Sequence, residues 1–180
     1  MIIRDPSTGV GMQVNDEGMG KTSAVSETQI RHANEEEGEA YSIVLDQTPT
    51  GVDDCILWLV NNDDKSLLID AITVFVSGAV ELYFQLGDAG IPNAPVALVP
   101  VNRNAGSGKT ADMTCQQGPD LAAAAVLAGG LEVDRFAIPA AATTAHRTWA
   151  SGLILPKNGT FTMWSSAVVA VNATIAIFFH

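Results

Sequence analysis

The run Gly106-Ser107-Gly108-Lys109-Thr110 comes closest to a known chemistry, because a glycine-rich loop ending in Lys-Thr cradles phosphates with backbone N–H groups and an ammonium. The complete pattern needs a further glycine five residues before Gly108, and that position is Arg103. A phosphate loop also opens a helix whose N-terminus faces the anion. Here Thr110 runs into Ala-Asp-Met-Thr-Cys-Gln, which reads as a strand, so a plain loop is the better reading. His32, His146 and His180 are scattered, with no neighbour at metal-ligand spacing. Cys55 and Cys115 are too few for a disulfide framework or a four-cysteine zinc site and sit in apolar surroundings, which suits buried free thiols. A Cys–His nucleophilic pair would need an orienting group and an oxyanion hole, and no motif supplies either.

The paired carboxylates Asp53-Asp54 and Asp63-Asp64 fall in turn sequences, where adjacent acids cap the backbone or stay solvated; a weak calcium site is the alternative. Trp58, Trp149 and Trp164 each lie inside an apolar strand pattern, which suits core or subunit contacts better than an exposed sugar platform. On these grounds no cofactor, no metal and no enzymatic activity is expected.

The elements that position these residues read as strands. Leu67 to Leu86 is the clearest pattern: Val80, Leu82, Phe84 and Leu86 alternate with Glu81, Tyr83 and Gln85, and Leu67 to Ser77 is apolar on both faces. Ser77-Gly78 between the halves predicts a central antiparallel hairpin, with the glycine taking a positive backbone angle. Further strands are expected at Tyr41–Gln47, Cys55–Asn61, Val96–Val101, Ala111–Gln116, Val133–Ile138, Arg147–Leu155, Thr160–Ser165 and Thr174–Phe179, separated by turn clusters. Asp120 to Gly130 fits a short helix or a surface loop equally well. Many short strands without long amphipathic helices predict an all-β fold, an antiparallel β-sandwich or jelly roll.

Residues 1–40 are different. They carry three cations against eight carboxylates, four glycines between positions 9 and 20, and few large apolar side chains. Such a segment cannot offset its own ordering entropy and is expected to be an extended N-terminal arm on a sandwich domain of residues 41–180. Ser26 and Gln29 have the spacing of a capping box, which predicts one or two helical turns between Glu27 and Glu35. Over the chain Asp and Glu outnumber Lys and Arg by 20 to 9, a net charge of −11 that disfavours nucleic acid and anionic membranes as partners. No basic region followed by an apolar stretch opens the sequence, so no signal peptide is expected. The apolar tail Val168–His180 is too short and too interrupted to span a bilayer.

Four stretches carry a likeness: His32-Ala33-Asn34-Glu35-Glu36-Glu37-Gly38-Glu39-Ala40-Tyr41, Leu57-Trp58-Leu59-Val60-Asn61-Asn62, Val101-Asn102-Arg103-Asn104, and Leu153-Ile154-Leu155-Pro156-Lys157-Asn158-Gly159-Thr160. Together they resemble the capsid decoration, or cement, proteins of tailed bacteriophages, from about His32 to the C-terminus. The resemblance implies a jelly-roll module, often a homotrimer, on the outside of the virion head where subunits of the major capsid protein meet, assembled in the host cytoplasm. The partner-binding residues it suggests are Ile30, His32, Glu35, Glu36, Glu37 and Tyr41. Two other classes stay open, a receptor- or glycan-binding module of a head fibre or tail, and a nucleotide-dependent activity resting on the Gly106–Thr110 echo.

Overall fold

The computed structural model describes residues 2–4, 11–14, 20–21, 29–123, 127–139 and 143–180; side chains are described from residue 31 onward, apart from 143, 150 and 151. At the N-terminal end β1 (Ile2–Arg4), β2 (Gly11–Val14) and β3 (Gly20–Lys21) pair in a three-stranded antiparallel sheet. A helical turn α1 (Gln29–His32) widens into a π-turn over Ala33–Glu37, which is where the capping-box spacing placed a helix. Gly38 ends it in the left-handed conformation with φ 66°, the usual C-terminal stop.

The strands that follow are β4 (Ala40–Gln47), β5 (Asp54–Asn61), β6 (Leu67–Val76), β7 (Val80–Leu86), β8 (Ala89–Gly90), β9 (Val96–Ala97), β10 (Val101–Asn102), β11 (Met113–Gln117), β12 (Leu127–Ala128), β13 (Leu131–Ile138), β14 (Thr143–Leu155), β15 (Thr160–Ser165) and β16 (Val171–Phe179). A five-stranded sheet has the order β10-β4-β16-β6-β14, and a six-stranded sheet the order β13-β7-β15-β5-β11-β9; every pairing is antiparallel. Counting only the strands of six residues or more, the first sheet holds the first, eighth, third and sixth, and the second holds the fifth, fourth, seventh and second. That double Greek-key order is a jelly roll, as the strand spacing predicted.

The expected central hairpin is not formed, because β6 and β7 lie in different sheets. β6 pairs with β14 and β16, and β7 with β13 and β15, so Ser77 to Ala79 arches from one layer to the other. Gly78 is needed for closeness and not for a positive angle: a Cβ there would lie 2.7 Å from Val169 Cγ1, and its φ is outside the left-handed region. Ser77 fixes the arch, its N–H donating to Ala170 O (3.0 Å) and its Oγ accepting from Ala170 N–H (2.9 Å). At one end of β6 the apolar outer position Leu68 finds cover, packing with Ala33, Ala40 and Phe178.

The expected strand Val96–Val101 survives only as β9 and β10, at the edges of opposite sheets. Pro95 and Pro100 supply no N–H for a ladder, so the run serves as a strap between the layers. In the segment expected as helix or loop, Leu121 is buried at a turn and β12 pairs with β8; residues 124–126 fall outside the described set.

Phe84 sits at the centre of the core. Its ring stacks on Phe161 (5.7 Å) and Phe136 (5.8 Å) and meets Trp149 edge-on (5.5 Å), tying three strands of one sheet to β14 of the other. Where the edge strands β13 and β14 meet, Asp134 accepts two hydrogen bonds of 2.6 Å from the Arg147 guanidinium and one of 2.9 Å from Trp149 Nε1. Burial alone would raise the pKa of Asp134, but these donors outweigh it and hold the carboxyl below its ordinary range. Cys55 and Cys115 are buried free thiols, and burial pushes both pKa values up. Phe84→Ala removes the ring on which the layers converge and is expected to cost about 3–5 kcal/mol in urea unfolding, with an unchanged denaturant slope.

Candidate functional site

The stretch His32–Tyr41 joins the sandwich at one end of the five-stranded sheet, and its local sequence explains its surface. Residues four apart on a helical turn are neighbours. Accordingly Arg31 Nε lies 3.0 Å from Glu35 Oε2, and His32 Nδ1 lies 3.1 Å from Glu36 Oε2. Glu37 lies 3.7 Å from Lys65 Nζ. Glu35 and Glu36 are exposed, so the turn presents carboxylates to solvent.

Gly38 and Glu39 anchor it. Gly38 O accepts from Asn102 Nδ2 (2.8 Å) and Ser107 Oγ (3.1 Å), and Asn34 O accepts from Asn104 Nδ2 (2.9 Å). Any side chain at Gly38 would enter Ser107, since a Cβ would lie 2.5 Å from its Oγ. Glu39 extends between two cations, Lys65 (2.5 Å) and Lys109 (2.6 Å). Burial disfavours the charged carboxylate, yet the hydrogen bonds from Lys109 and Lys65 prevail and lower its pKa below the ordinary 4.5. The same contact raises the pKa of Lys65.

Lys109 of the Gly106–Thr110 echo is therefore engaged with Glu39, and the loop leads to β11 without a helix. The turn carboxylates act locally. Asp54 Oδ2 accepts from Thr50 Oγ1 and from the N–H of Gly51, Asp53 Oδ1 accepts from Tyr83 OH, Asp63 Oδ1 accepts from the N–H of Lys65, and Asp64 pairs with Lys157. Among the described residues no three His, Cys, Asp or Glu side chains are grouped to hold a metal.

Of the residues singled out from sequence, His32, Glu35, Glu36 and Glu37 share one surface. Ile30 lies in α1, and its side chain falls outside the described residues. Tyr41 is not on that surface: it is 1% exposed, packed edge-on against Phe179 in the core. Sequence reasoning missed Glu39, Lys65, Asn102, Asn104 and Ser107. Asn102 and Asn104 lay in one of the four quoted stretches, but nothing local linked them to Gly38 and Asn34, 64 and 70 residues away. Asn34 Oδ1 is buried and accepts no hydrogen bond from the described residues. Comparison of the chain with protein families, curated proteins and solved structures finds no match.

A carboxylate with a depressed folded pKa contributes stability above its unfolded value and loses it as pH falls through the folded one. The Glu39 anchor is therefore expected to be complete at neutral pH and to weaken below about 4.5. Hydrogen exchange at the Glu39 amide, which donates to Ala33 O at 2.7 Å, should show it as faster local opening in acid. Glu39→Gln should bring that opening to neutral pH, lowering protection on the order of fivefold, or about 1 kcal/mol.

Proposed function

We propose that this protein is a non-enzymatic structural protein of a tailed-bacteriophage virion, a head decoration or cement protein. It binds the outside of the capsid, bridges adjacent major-capsid subunits, and associates with copies of itself, as a homotrimer in the form the resemblance suggests. The observation that carries the reading is the meeting of two of the quoted stretches. His32–Tyr41 and Val101–Asn104, distant in sequence, interlock through Gly38, Asn34, Asn102 and Asn104 on a jelly roll. The result is a mount for the residues that precede it in the chain, and it displays Glu35 and Glu36 to solvent. A basic capsid surface would meet these carboxylates with charge-assisted hydrogen bonds. A partner that binds only the assembled lattice stabilises it by mass action, without any catalytic step.

The test uses capsids stripped of decoration. The full chain is expected to bind them and raise their thermal disruption temperature. The triple change Glu35→Gln, Glu36→Gln, Glu37→Gln should weaken binding about tenfold or more, and deletion of residues 1–28 should abolish most of it. Binding that is equal in all three proteins would remove the acidic turn and the arm from the mechanism. Failure of the full chain to bind would end the decoration reading.

A further inference from the structure

The two outer faces of the sandwich are covered unequally. Over the six-stranded sheet, Leu121 and Leu127 from the segment between β7 and β13 bury Cys55 and pack on Trp58 and Trp164. Asp88, 2% exposed, holds that cover down by accepting from Gly130 N–H and Thr162 Oγ1. Over the five-stranded sheet the only comparable cover among the described residues is at one end, where Ala33 meets Leu68 and Phe178.

Among the described residues the remaining outer face is open. Its register gives three rows across β4, β16, β6 and β14: Ser42-Ala176-Ala71-Thr148, Val44-Thr174-Thr73-His146, and Asp46-Asn172-Phe75-Thr144. Val44 is 60% exposed and Phe75 42%, and between them runs a groove of about 220 Å³ bordered by Thr73, Thr144, Asn172 and Thr174. Thr73 and His146 occupy one another, Oγ1 to Nδ1 at 2.8 Å. The rows hold one carboxylate, Asp46, at the β4 margin, and no lysine or arginine.

We infer that this face seats a second copy of the same chain, an inference that rests on the self-association within the reading above. Charge selects the occupant. Two copies each at −11 repel wherever their carboxylates meet, and a nearly uncharged face removes that penalty. A basic capsid surface, by contrast, gains nothing from a face of threonine, alanine, valine and phenylalanine. Size fits a weak contact. Four strands about 4.8 Å apart with three outward positions about 6.7 Å apart span roughly 400 Å² in plan, and side-chain relief brings two copies to about 1,000 Å², the lower limit of specific interfaces. Val101 beside Ser42 and Ile154 beside Leu68, both more than half exposed, extend the face at its margins.

Sedimentation velocity on the full chain across roughly 1–100 μM tests this, the range suited to an interface of that size. The parent is expected to self-associate, and Thr174→Arg and Thr73→Arg, both at exposed positions, should each weaken association at least tenfold with an unchanged melting temperature. Each variant is one unit less negative than the parent, so its loss of association could not come from general repulsion. Val96→Arg, on the strap between the sheets, should leave association unchanged. An oligomer that survives both threonine changes, or one that only Val96→Arg dissolves, would overturn the inference while self-association stood. A parent that stays monomeric would overturn the inference and self-association together, and capsid binding would then decide the decoration reading separately.

Discussion

Strand β16, the last in the chain, lies between β4 and β6, and most of the structure depends on that placement. Its residues from Val171 to Phe178 pair with β4 on one side while Val171 to Phe179 pair with β6 on the other. Until it is in place, two strands of the five-stranded sheet lack a backbone partner along one edge, and unpaired buried amides are costly. The other sheet repeats the device with β15 between β5 and β7. Apart from β7 with β13, which a long segment separates, no two long strands that pair are consecutive in the chain, so loop closure must precede most of the stabilising contacts, and folding should be slow for a chain of this length.

The jelly roll that results has two ends and two faces, and the chain treats them differently. Asp134 with Arg147 and Trp149 closes the seam between β13 and β14, where two sheet edges would otherwise lie open side by side. The opposite seam is crossed by the strap from β9 to β10 and by Gln117, whose Oε1 accepts from the N–H of Asp46. With both seams tied, exposed apolar side chains remain on the strap, at Val96, Val99 and Val101, and on the outer face of the five-stranded sheet, at Val44 and Phe75, as well as at turns and on β13.

In a molecule of net charge −11 the placement of the few cations matters. Lys65 and Lys109 both converge on Glu39, a partly buried carboxylate at the junction between the acidic turn and the sandwich. Glu35 and Glu36 remain at the surface and, among the described residues, pair with neighbours on their own turn, an arrangement that salt screens readily. Anchoring and display are therefore divided between adjacent acids of one run.

Local information was legible in the sequence. Period-two alternation marked Val80–Leu86 end to end, because that strand turns one face to the core and packing enforces the alternation. The four-residue spacing of Arg31 with Glu35 and of His32 with Glu36 likewise follows from helix geometry alone. What tertiary structure decided was partnership. A strand's sequence states which face is apolar but not which strand lies beside it, so Leu67–Leu86 read as a hairpin and folds as an arch between layers. Glu39 read as one more acid in a run, and only the approach of Lys65 and Lys109, 26 and 70 residues away, makes it the anchor. Tyr41 stood next to that run in sequence, yet pleating turns it inward onto Phe179, because successive residues of a strand face opposite sides.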